Sequence, residues 1–178
     1  MLVKAILKSR SAFTAIAILF GTSVAIVGYC VSSEAKEPLD AEIFQAQNSQ
    51  EANLIETVHQ QLNQYRKSQN LPPLNLNAAI SQQAEIHSQN MAQQTVEFGH
   101  HGFKARIKAL SDRISYGSAA ENVAHDRGYD NPAARAVAGW LDSKRHRQNI
   151  VGDYNLTGIG VAKNQQGEYY FTQIFIQD

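Results

Sequence analysis

The sequence predicts an α+β domain, in which helices come first along the chain and most of the β-strands follow. Two observations carry this prediction. Apolar residues recur at three- and four-residue spacing from residue 54 onward, and after residue 156 the pattern becomes that of strands. Helices followed by strands are typical of a layered α+β domain and not of a parallel doubly wound sheet. With 178 residues, 43% of them hydrophobic, the chain is expected to form one domain with its own core.

Residues 1–35 differ from the rest of the chain and predict export. Three basic residues, the last of them Arg10, precede an uncharged run from Ala12 to Val31, and Ser33-Glu34-Ala35 then offers small residues for a signal peptidase. The run is about 20 residues, close to the span of a membrane-crossing helix, so a cleaved signal peptide and an uncleaved membrane anchor both stay open. The basic flank predicts that the remainder of the chain crosses the membrane. The domain is therefore expected to be secreted, periplasmic or anchored outside the cytoplasm.

Residues 36–50 show little periodicity and predict a linker, which leaves residues 51–178 as the domain. The first helix of the domain is predicted from apolar residues that share one face, and Pro72-Pro73 breaks it. The apolar face consists of Leu54, Ile55, Val58, Leu62 and Tyr65. Asn77 can cap a second helix, whose apolar face includes His87. A histidine in that position is predicted to be a hydrogen-bonded core residue.

The remaining elements are two shorter helices and three strands. A third helix is predicted from about residue 102 to 110, and a fourth begins at Pro132, a favoured first helical residue. One strand is expected between Ile114 and Ala124. Residues 156–162 and 169–176 are rich in β-branched and aromatic residues, and the Asn-Gln-Gln-Gly sequence between them suits a hairpin loop.

Composition excludes several classes of protein. The chain has 16 basic and 16 acidic residues, whereas a nucleic-acid-binding protein usually carries a basic excess, so nucleic acid is not an expected partner. The single cysteine, Cys30, belongs to the predicted export segment. The exported domain must therefore fold without disulfides. Residues 101–147 have a net charge of +4, which favours an anionic ligand there and works against a divalent cation.

Titratable residues that could carry chemistry gather between residues 100 and 146. Glu121 lies in a stretch of small and apolar residues, where a buried carboxylate is costly unless a partner or a metal satisfies it. His100 and His146 come from distant segments, and two histidines with a carboxylate can form a divalent-metal site or an acid/base pair. On spacing alone, solvated histidines and a salt-bridged glutamate are the simpler interpretation.

Several motifs occur in a fixed order between about residues 54 and 176. They are Leu62-Asn63-Gln64-Tyr65-Arg66, Phe98-Gly99-His100-His101-Gly102 with Arg106, Ala120-Glu121-Asn122-Val123-Ala124, Trp140-Leu141-Asp142-Ser143, His146-Arg147-Gln148-Asn149-Ile150, Gly158-Ile159-Gly160-Val161-Ala162 and Tyr170-Phe171-Thr172-Gln173-Ile174-Phe175. Together they closely resemble the bacterial branch of the CAP superfamily. That superfamily is named for cysteine-rich secretory, antigen 5 and pathogenesis-related 1 proteins.

The resemblance implies an α-β-α sandwich of the CAP type, with a central, mainly antiparallel sheet flanked by helices. It also implies a cleft whose signature groups, in eukaryotic members, are two histidines and two glutamates. His100 and His146 match the two histidines and Glu121 matches one glutamate, while Ser143 stands where animal and plant members carry the other. The residues expected to contact a ligand are therefore His100, Glu121, Asn122 and His146, with the two histidines as candidate metal ligands.

Three functions stay open. The first is a binding module for a lipid, a small anionic or other small molecule, a metal or an envelope component. The second is a metal-dependent or acid/base hydrolase, in which His100 and His146 would hold Zn²⁺ or another divalent metal and Glu121 would deprotonate a bound water. The third is a structural domain of the cell envelope. Two histidines supply only two protein ligands where catalytic zinc usually has three, so binding is favoured over catalysis.

Overall fold

The computed structural model describes residues 37–178, so the predicted export segment lies outside the described residues. Every predicted helix and strand of the domain is present, in the predicted order, which confirms the α+β class. A two-residue strand, Asn75–Leu76, and a short helix, Lys144–Ile150, were not predicted. The elements are α1 (Glu37–Ser68), β1 (Asn75–Leu76), α2 (Ala78–Ala92), α3 (Phe103–Leu110), β2 (Ser118–Arg127), α4 (Pro132–Asp142), α5 (Lys144–Ile150), β3 (Leu156–Lys163) and β4 (Glu168–Gln177). Within residues 37–178, no helix combines the length and apolar character needed to cross a membrane.

The four strands form one sheet in the order β1-β3-β4-β2. The short strand β1 pairs with β3 in parallel, and the two long pairings, β3 with β4 and β4 with β2, are antiparallel. The predicted mainly antiparallel sheet is therefore confirmed. Strand β2, which carries Glu121, lies at one edge of the sheet, where its outer backbone groups need other partners.

Helices pack on both faces of the sheet, as strand β4 makes clear. Phe171 and Phe175 point into the core formed with α1 and α4. Ile174 and Ile176 point to the opposite side, into the core formed with α2 and α3. This alternation is what a strand buried on both faces requires, because successive side chains point in opposite directions. The result is the helix-sheet-helix sandwich that the family resemblance implied.

Helix α1 begins earlier than predicted. Residues 36–50 were expected to be a linker, but the chain is helical from Glu37, and residues 41–50 are all exposed. Alanine, glutamate and glutamine, which favour helix, are frequent in this stretch. Helix propagation from the packed part of α1 needs no second nucleus, so an exposed extension can form without an apolar face of its own. The linker conformation is therefore corrected to helix.

Two buried features hold the helices in place around the sheet. A Cβ built on Gly160 of β3 would lie 2.1 Å from the backbone nitrogen of Glu85, so glycine allows α2 to pack directly on the strand. Arg66 at the end of α1 is only 1% exposed. Its guanidinium donates hydrogen bonds to four carbonyl oxygens, and burial lowers its pKa. The acceptors are Pro72 (2.8 Å), Ile150 (2.8 Å), Gly152 (2.9 Å) and Tyr154 (3.1 Å).

Candidate functional site

A buried ion pair between Glu121 and Arg106 forms the base of the candidate site. The Glu121 side chain, on β2, is 1% exposed, and the Arg106 side chain, on α3, is 10% exposed. Arg106 Nη2 lies 2.8 Å from Glu121 Oε1 and 2.7 Å from Oε2, and Arg106 Nε lies 3.0 Å from Oε2. The structure thus supplies the partner that a buried carboxylate requires. Glu121 is salt-bridged, as the simpler interpretation of the sequence expected.

His100 extends the ion pair toward solvent. It lies in the loop between α2 and α3, and its Nδ1 is 3.0 Å from Glu121 Oε1. Its side chain is 51% exposed, so one edge of the ring is held by the carboxylate while the rest faces outward. Arg106, Glu121 and His100 therefore form a chain of contacts that runs from the core to the surface.

His87 fixes the loop that carries His100. It is 1% exposed on the inner face of α2, and its Nε2 donates to the carbonyl oxygen of Gly99, 2.7 Å away. Burial lowers its pKa; the hydrogen bond to Gly99 and the Glu121 carboxylate oppose this, while Arg106 adds to it. The predicted core histidine is confirmed. His87 also holds Gly99, the residue before His100, and the helical pattern alone did not predict that contact.

His146 belongs to helix α5, which packs on strand β2. It lies in the first turn of α5 and is partly buried. Its Nδ1 is buried and has no hydrogen-bond partner among residues 37–178. Burial, and then repulsion from His100, lowers the pKa of His146. The carbonyl oxygen of His146 accepts a hydrogen bond from the side chain of Asn122 (3.1 Å), so His146 is held beside the residue that follows Glu121.

Asn122 holds α5 against the edge of the sheet. Its side chain is fully buried. Its amide nitrogen donates to the carbonyl oxygen of His146 (3.1 Å), and its amide oxygen accepts from Asn149 (2.8 Å). The indole nitrogen of Trp140 donates to the carbonyl oxygen of Val123 (2.9 Å), which caps a second part of the same edge. These contacts favour a positioning role for Asn122 over the direct ligand contact expected from the sequence.

A cavity of about 260 Å³ lies beside His146, between the end of β2 and helix α4. Asp126, Tyr129 and Arg135 contribute polar groups to its wall. Asp126 is 4% exposed, and Arg135 lies over the Tyr129 ring at 4.5 Å from its centroid. Sequence reasoning did not identify these three residues, because their meeting depends on how α4 docks on β2. No motif signals that docking.

The residues of the site do not fit a catalytic zinc ion. Within residues 37–178, no group of three or more histidine, cysteine, aspartate or glutamate side chains is arranged to hold a metal. Both oxygens of Glu121 already accept hydrogen bonds from Arg106, and Oε1 also accepts from His100. The buried Nδ1 of His146 lacks the acceptor that normally orients a metal-bound histidine. Two imidazoles alone fall short of the usual three protein ligands.

Comparison with known proteins identifies related sequences. Residues 59–175 match the model of the cysteine-rich secretory protein (CAP) family. An uncharacterized protein of Bacillus subtilis (strain 168), YkwD, is 34% identical over 117 residues, which are 64% of this chain and 43% of that protein. YlbC, an uncharacterized membrane protein of the same organism, is 35% identical over 97 residues, 51% of this chain and 25% of that protein. The chain thus spans less than half the length of these curated relatives.

Solved structures share the fold. An extracellular protein of Bacillus anthracis str. Ames that contains an SCP domain superposes with a TM-score of 0.60 at 26% identity, over 72% of this chain and 41% of that chain. An outer surface protein of Borrelia burgdorferi superposes with a TM-score of 0.58 at 18% identity, over 70% of this chain and 92% of that chain, and supports the fold alone. The family model spans more than half of this chain and includes His100, Glu121 and His146. This chain therefore belongs to the cysteine-rich secretory protein (CAP) family.

Proposed function

We propose that this chain is an exported binding domain, which holds a ligand at the cell envelope or outside the cell without turning it over. The similar proteins include an extracellular protein and a membrane protein. Those locations, together with the export segment predicted at residues 1–35, support a place outside the cytoplasm. The ligand would contact His100 and His146, while Glu121, Arg106 and Asn122 hold the two histidines in position.

The observation that carries this proposal is the burial of the Glu121 carboxylate and its contacts with Arg106 and His100. A hydrolase of the kind considered above needs that carboxylate to take a proton from water. Here it is 1% exposed and is bound by the Arg106 guanidinium and by His100 Nδ1. Both oxygens of the carboxylate accept hydrogen bonds from the guanidinium, and its burial shields it from a water molecule that it would have to contact. Glu121 therefore serves as a support for His100.

An acid/base hydrolase is the second candidate, and one observation favours it. A histidine whose Nδ1 donates to a carboxylate is the arrangement that orients a general base, with Nε2 directed at the substrate. In that reaction, His100 Nε2 would accept the proton from water or from a hydroxyl nucleophile. A purely structural envelope domain, the third candidate, would not need an oriented histidine that is half exposed.

The test compares ligand retention and turnover in matched variants. The exported protein, His100→Ala and His146→Ala are incubated with an envelope extract, washed and analysed for retained molecules, and the same proteins are assayed on peptide and ester panels with and without added Zn²⁺. His101→Ala is the control, because His101 is 62% exposed on the same loop. We expect wild type and His101→Ala to retain the same molecule, the other two variants to lose it, and no protein to show turnover. Hydrolysis that disappears in His100→Ala would establish the second candidate instead.

A further inference from the structure

Two opposite charges line the cavity beside His146 without forming an ion pair. The carboxylate of Asp126, on β2, and the guanidinium of Arg135, on α4, both contribute to its wall. The salt bridges among residues 37–178 include neither residue, so no nitrogen of Arg135 lies within 4.0 Å of an oxygen of Asp126. The two side chains do not neutralise each other, and each can therefore contact a ligand in the cavity.

Asp126 lacks the partner that a buried carboxylate needs. It is only 4% exposed, and its Oδ1 accepts a hydrogen bond from the backbone N–H of Tyr129 at 3.3 Å. Burial of a charged group is costly unless an opposite charge or several hydrogen-bond donors satisfy it, as Arg106 does for Glu121. No side-chain cation does so for Asp126 in the described part of the chain. A ligand with an ammonium group would bring both the charge and the N–H donors.

Arg135 can bind an anionic group. Its guanidinium lies over the Tyr129 ring, 4.5 Å from the centroid, and this contact holds the side chain at the wall of the cavity. A guanidinium carries five N–H donors, which match a carboxylate through two parallel hydrogen bonds. Arg127, by contrast, is already paired with Glu168, 2.9 Å away. Arg135 can therefore hold the anionic group that the net positive charge of residues 101–147 favours.

We propose that this cavity binds a small free α-amino acid, with its ammonium group on Asp126 and its carboxylate on Arg135. An α-amino acid carries both charges on one carbon atom, so a single molecule can contact both side chains. A simple cation would leave Arg135 without a partner, and a simple anion would leave Asp126 without one. The site goes beyond the proposed function, because His100 does not line this cavity.

The size and the apolar part of the cavity suit a ligand of this kind. Its volume is about 260 Å³, below the roughly 300–1,000 Å³ of sites for drug-sized ligands, which favours a molecule of a few heavy atoms. Small and apolar residues, among them Val123, Ala124, Ala136 and Trp140, complete the wall. Such residues can pack against a short aliphatic side chain and offer no partner to a charged one. We therefore expect an amino acid of about the size of alanine.

Trp140 reports binding directly, because it lines the cavity and is the one tryptophan of the chain. The ¹H–¹⁵N signal of its indole N–H is followed in the exported protein while each of three probes is added. The probes are L-alanine, L-alaninamide, which lacks the carboxylate, and N-acetyl-L-alanine, which lacks the ammonium group. We expect L-alanine to shift the signal and to bind about tenfold more tightly than either derivative, as the loss of one charged hydrogen bond predicts. Equal or tighter binding of either derivative would overturn the proposal.

Two variants test which side chain holds which charge. Asp126→Asn keeps an oxygen that can accept from Tyr129 and removes the negative charge, and we expect it to weaken the binding of L-alanine and L-alaninamide alike, about tenfold. Arg135→Gln should weaken L-alanine about tenfold and leave L-alaninamide unchanged, which a variant that only disturbs the fold would not do. The controls Asp130→Asn and His100→Ala should bind L-alanine as wild type does, since Asp130 is exposed and neither residue lines the cavity.

These measurements separate the amino-acid site from the histidine site of the proposed function. No shift of the Trp140 signal with L-alanine would overturn the amino-acid site, whatever the protein retains from the envelope extract. Binding of L-alanine that persists in His100→Ala, in a protein that retains nothing from the extract, would support the amino-acid site and count only against the proposed function. Tighter binding of L-alanyl-L-alanine than of L-alanine would indicate a peptide as the ligand and overturn the free amino acid.

Discussion

At the scale of single residues, the buried ion pair is the feature on which the site depends. Replacing Glu121 by glutamine leaves the Arg106 guanidinium buried without an opposite charge, and breaking a buried pair from one side typically costs about 3–5 kcal/mol. We expect Glu121→Gln to lower the free energy of unfolding by that amount in urea denaturation. Glu97→Gln is the control, since Glu97 is 92% exposed and lies 3.8 Å from the exposed His101. The free energy of unfolding of Glu97→Gln should differ from that of wild type by less than about 1 kcal/mol. Equal losses of stability in the two variants would contradict the prediction.

A second prediction at this scale concerns the buried His87. Burial lowers its pKa in the folded protein, so the unfolded chain binds the proton more readily. Folding stability therefore falls as the pH drops below about 6.5, the pKa of histidine in an unfolded chain, and recovers above it. His87→Gln keeps a donor for the Gly99 carbonyl and removes the titration. We expect thermal melts between about pH 7.5 and pH 5 to show a smaller loss of stability in His87→Gln than in wild type. Parallel pH dependence in both proteins would count against it.

Sequence patterns anticipated much of the site but not its hydrogen bonding. The motifs around His100, Glu121 and His146 indicated the three residues, since each lies in a short, ordered pattern. Arg106 was quoted with the His100 motif, but its contact with both oxygens of Glu121 depends on how α3 docks on β2. The contact of His100 with Glu121 and the buried, unpartnered Nδ1 of His146 depend on neighbours that only tertiary structure supplies.

At the scale of elements, the contact between α2 and β3 requires glycine. A Cβ at position 160 would overlap the backbone of α2, 2.1 Å from the nitrogen of Glu85, so either the helix or the strand must move. We expect Gly160→Ala to lower the free energy of unfolding by about 1–3 kcal/mol, as overpacking usually does. Gly139→Ala is the matched control, because Gly139 lies in α4 with nothing within 4 Å of the added Cβ. Alanine in that helix should raise stability by up to about 1 kcal/mol, and a destabilising Gly139→Ala would undermine the comparison.

The boundaries of elements show where sequence patterns are informative. Helix α4 starts at Pro132 as predicted, because proline at the start of a helix is a local signal. Helix α1 starts at Glu37 and not near residue 51, because the apolar pattern marks only the part of a helix that packs. Strand β2 runs to Arg127, beyond the predicted Ala124, because pairing with β4 continues past the apolar residues. Packing against a core produces an apolar pattern in the sequence, whereas the extension of a helix or strand by backbone hydrogen bonds produces none.

At the scale of the whole molecule, the question is where the folded domain begins. Residues 41–50 of α1 are exposed, whereas Leu54, Ile55, Val58 and Leu62 pack against the core shared with α4 and the sheet. A chain that starts at residue 51 keeps those core contacts, and the domain from residue 51 onward contains no cysteine. We expect chains starting at residues 37 and 51 to have free energies of unfolding within about 0.5 kcal/mol of each other, because removing exposed residues changes little. Because the domain contains no cysteine, we also expect its stability to be the same in oxidising and reducing conditions. Urea denaturation of both chains in the two conditions measures the effect of the truncation and the effect of the redox conditions.

A larger difference between the two chains would locate stabilising contacts in residues 37–50. A loss above about 1 kcal/mol on starting at residue 51 would contradict the predicted domain boundary, since exposed residues rarely contribute that much. A matched variant then separates a contribution of the helical backbone from a contribution of an apolar side chain. Ile43→Ser in the longer chain removes a half-exposed apolar side chain, 50% exposed on α1, without shortening the helix. If only the shorter chain has a lower free energy of unfolding, the helical backbone of residues 37–50 stabilises α1. If Ile43→Ser lowers it as well, the Ile43 side chain makes stabilising contacts, and the domain boundary moves toward residue 37.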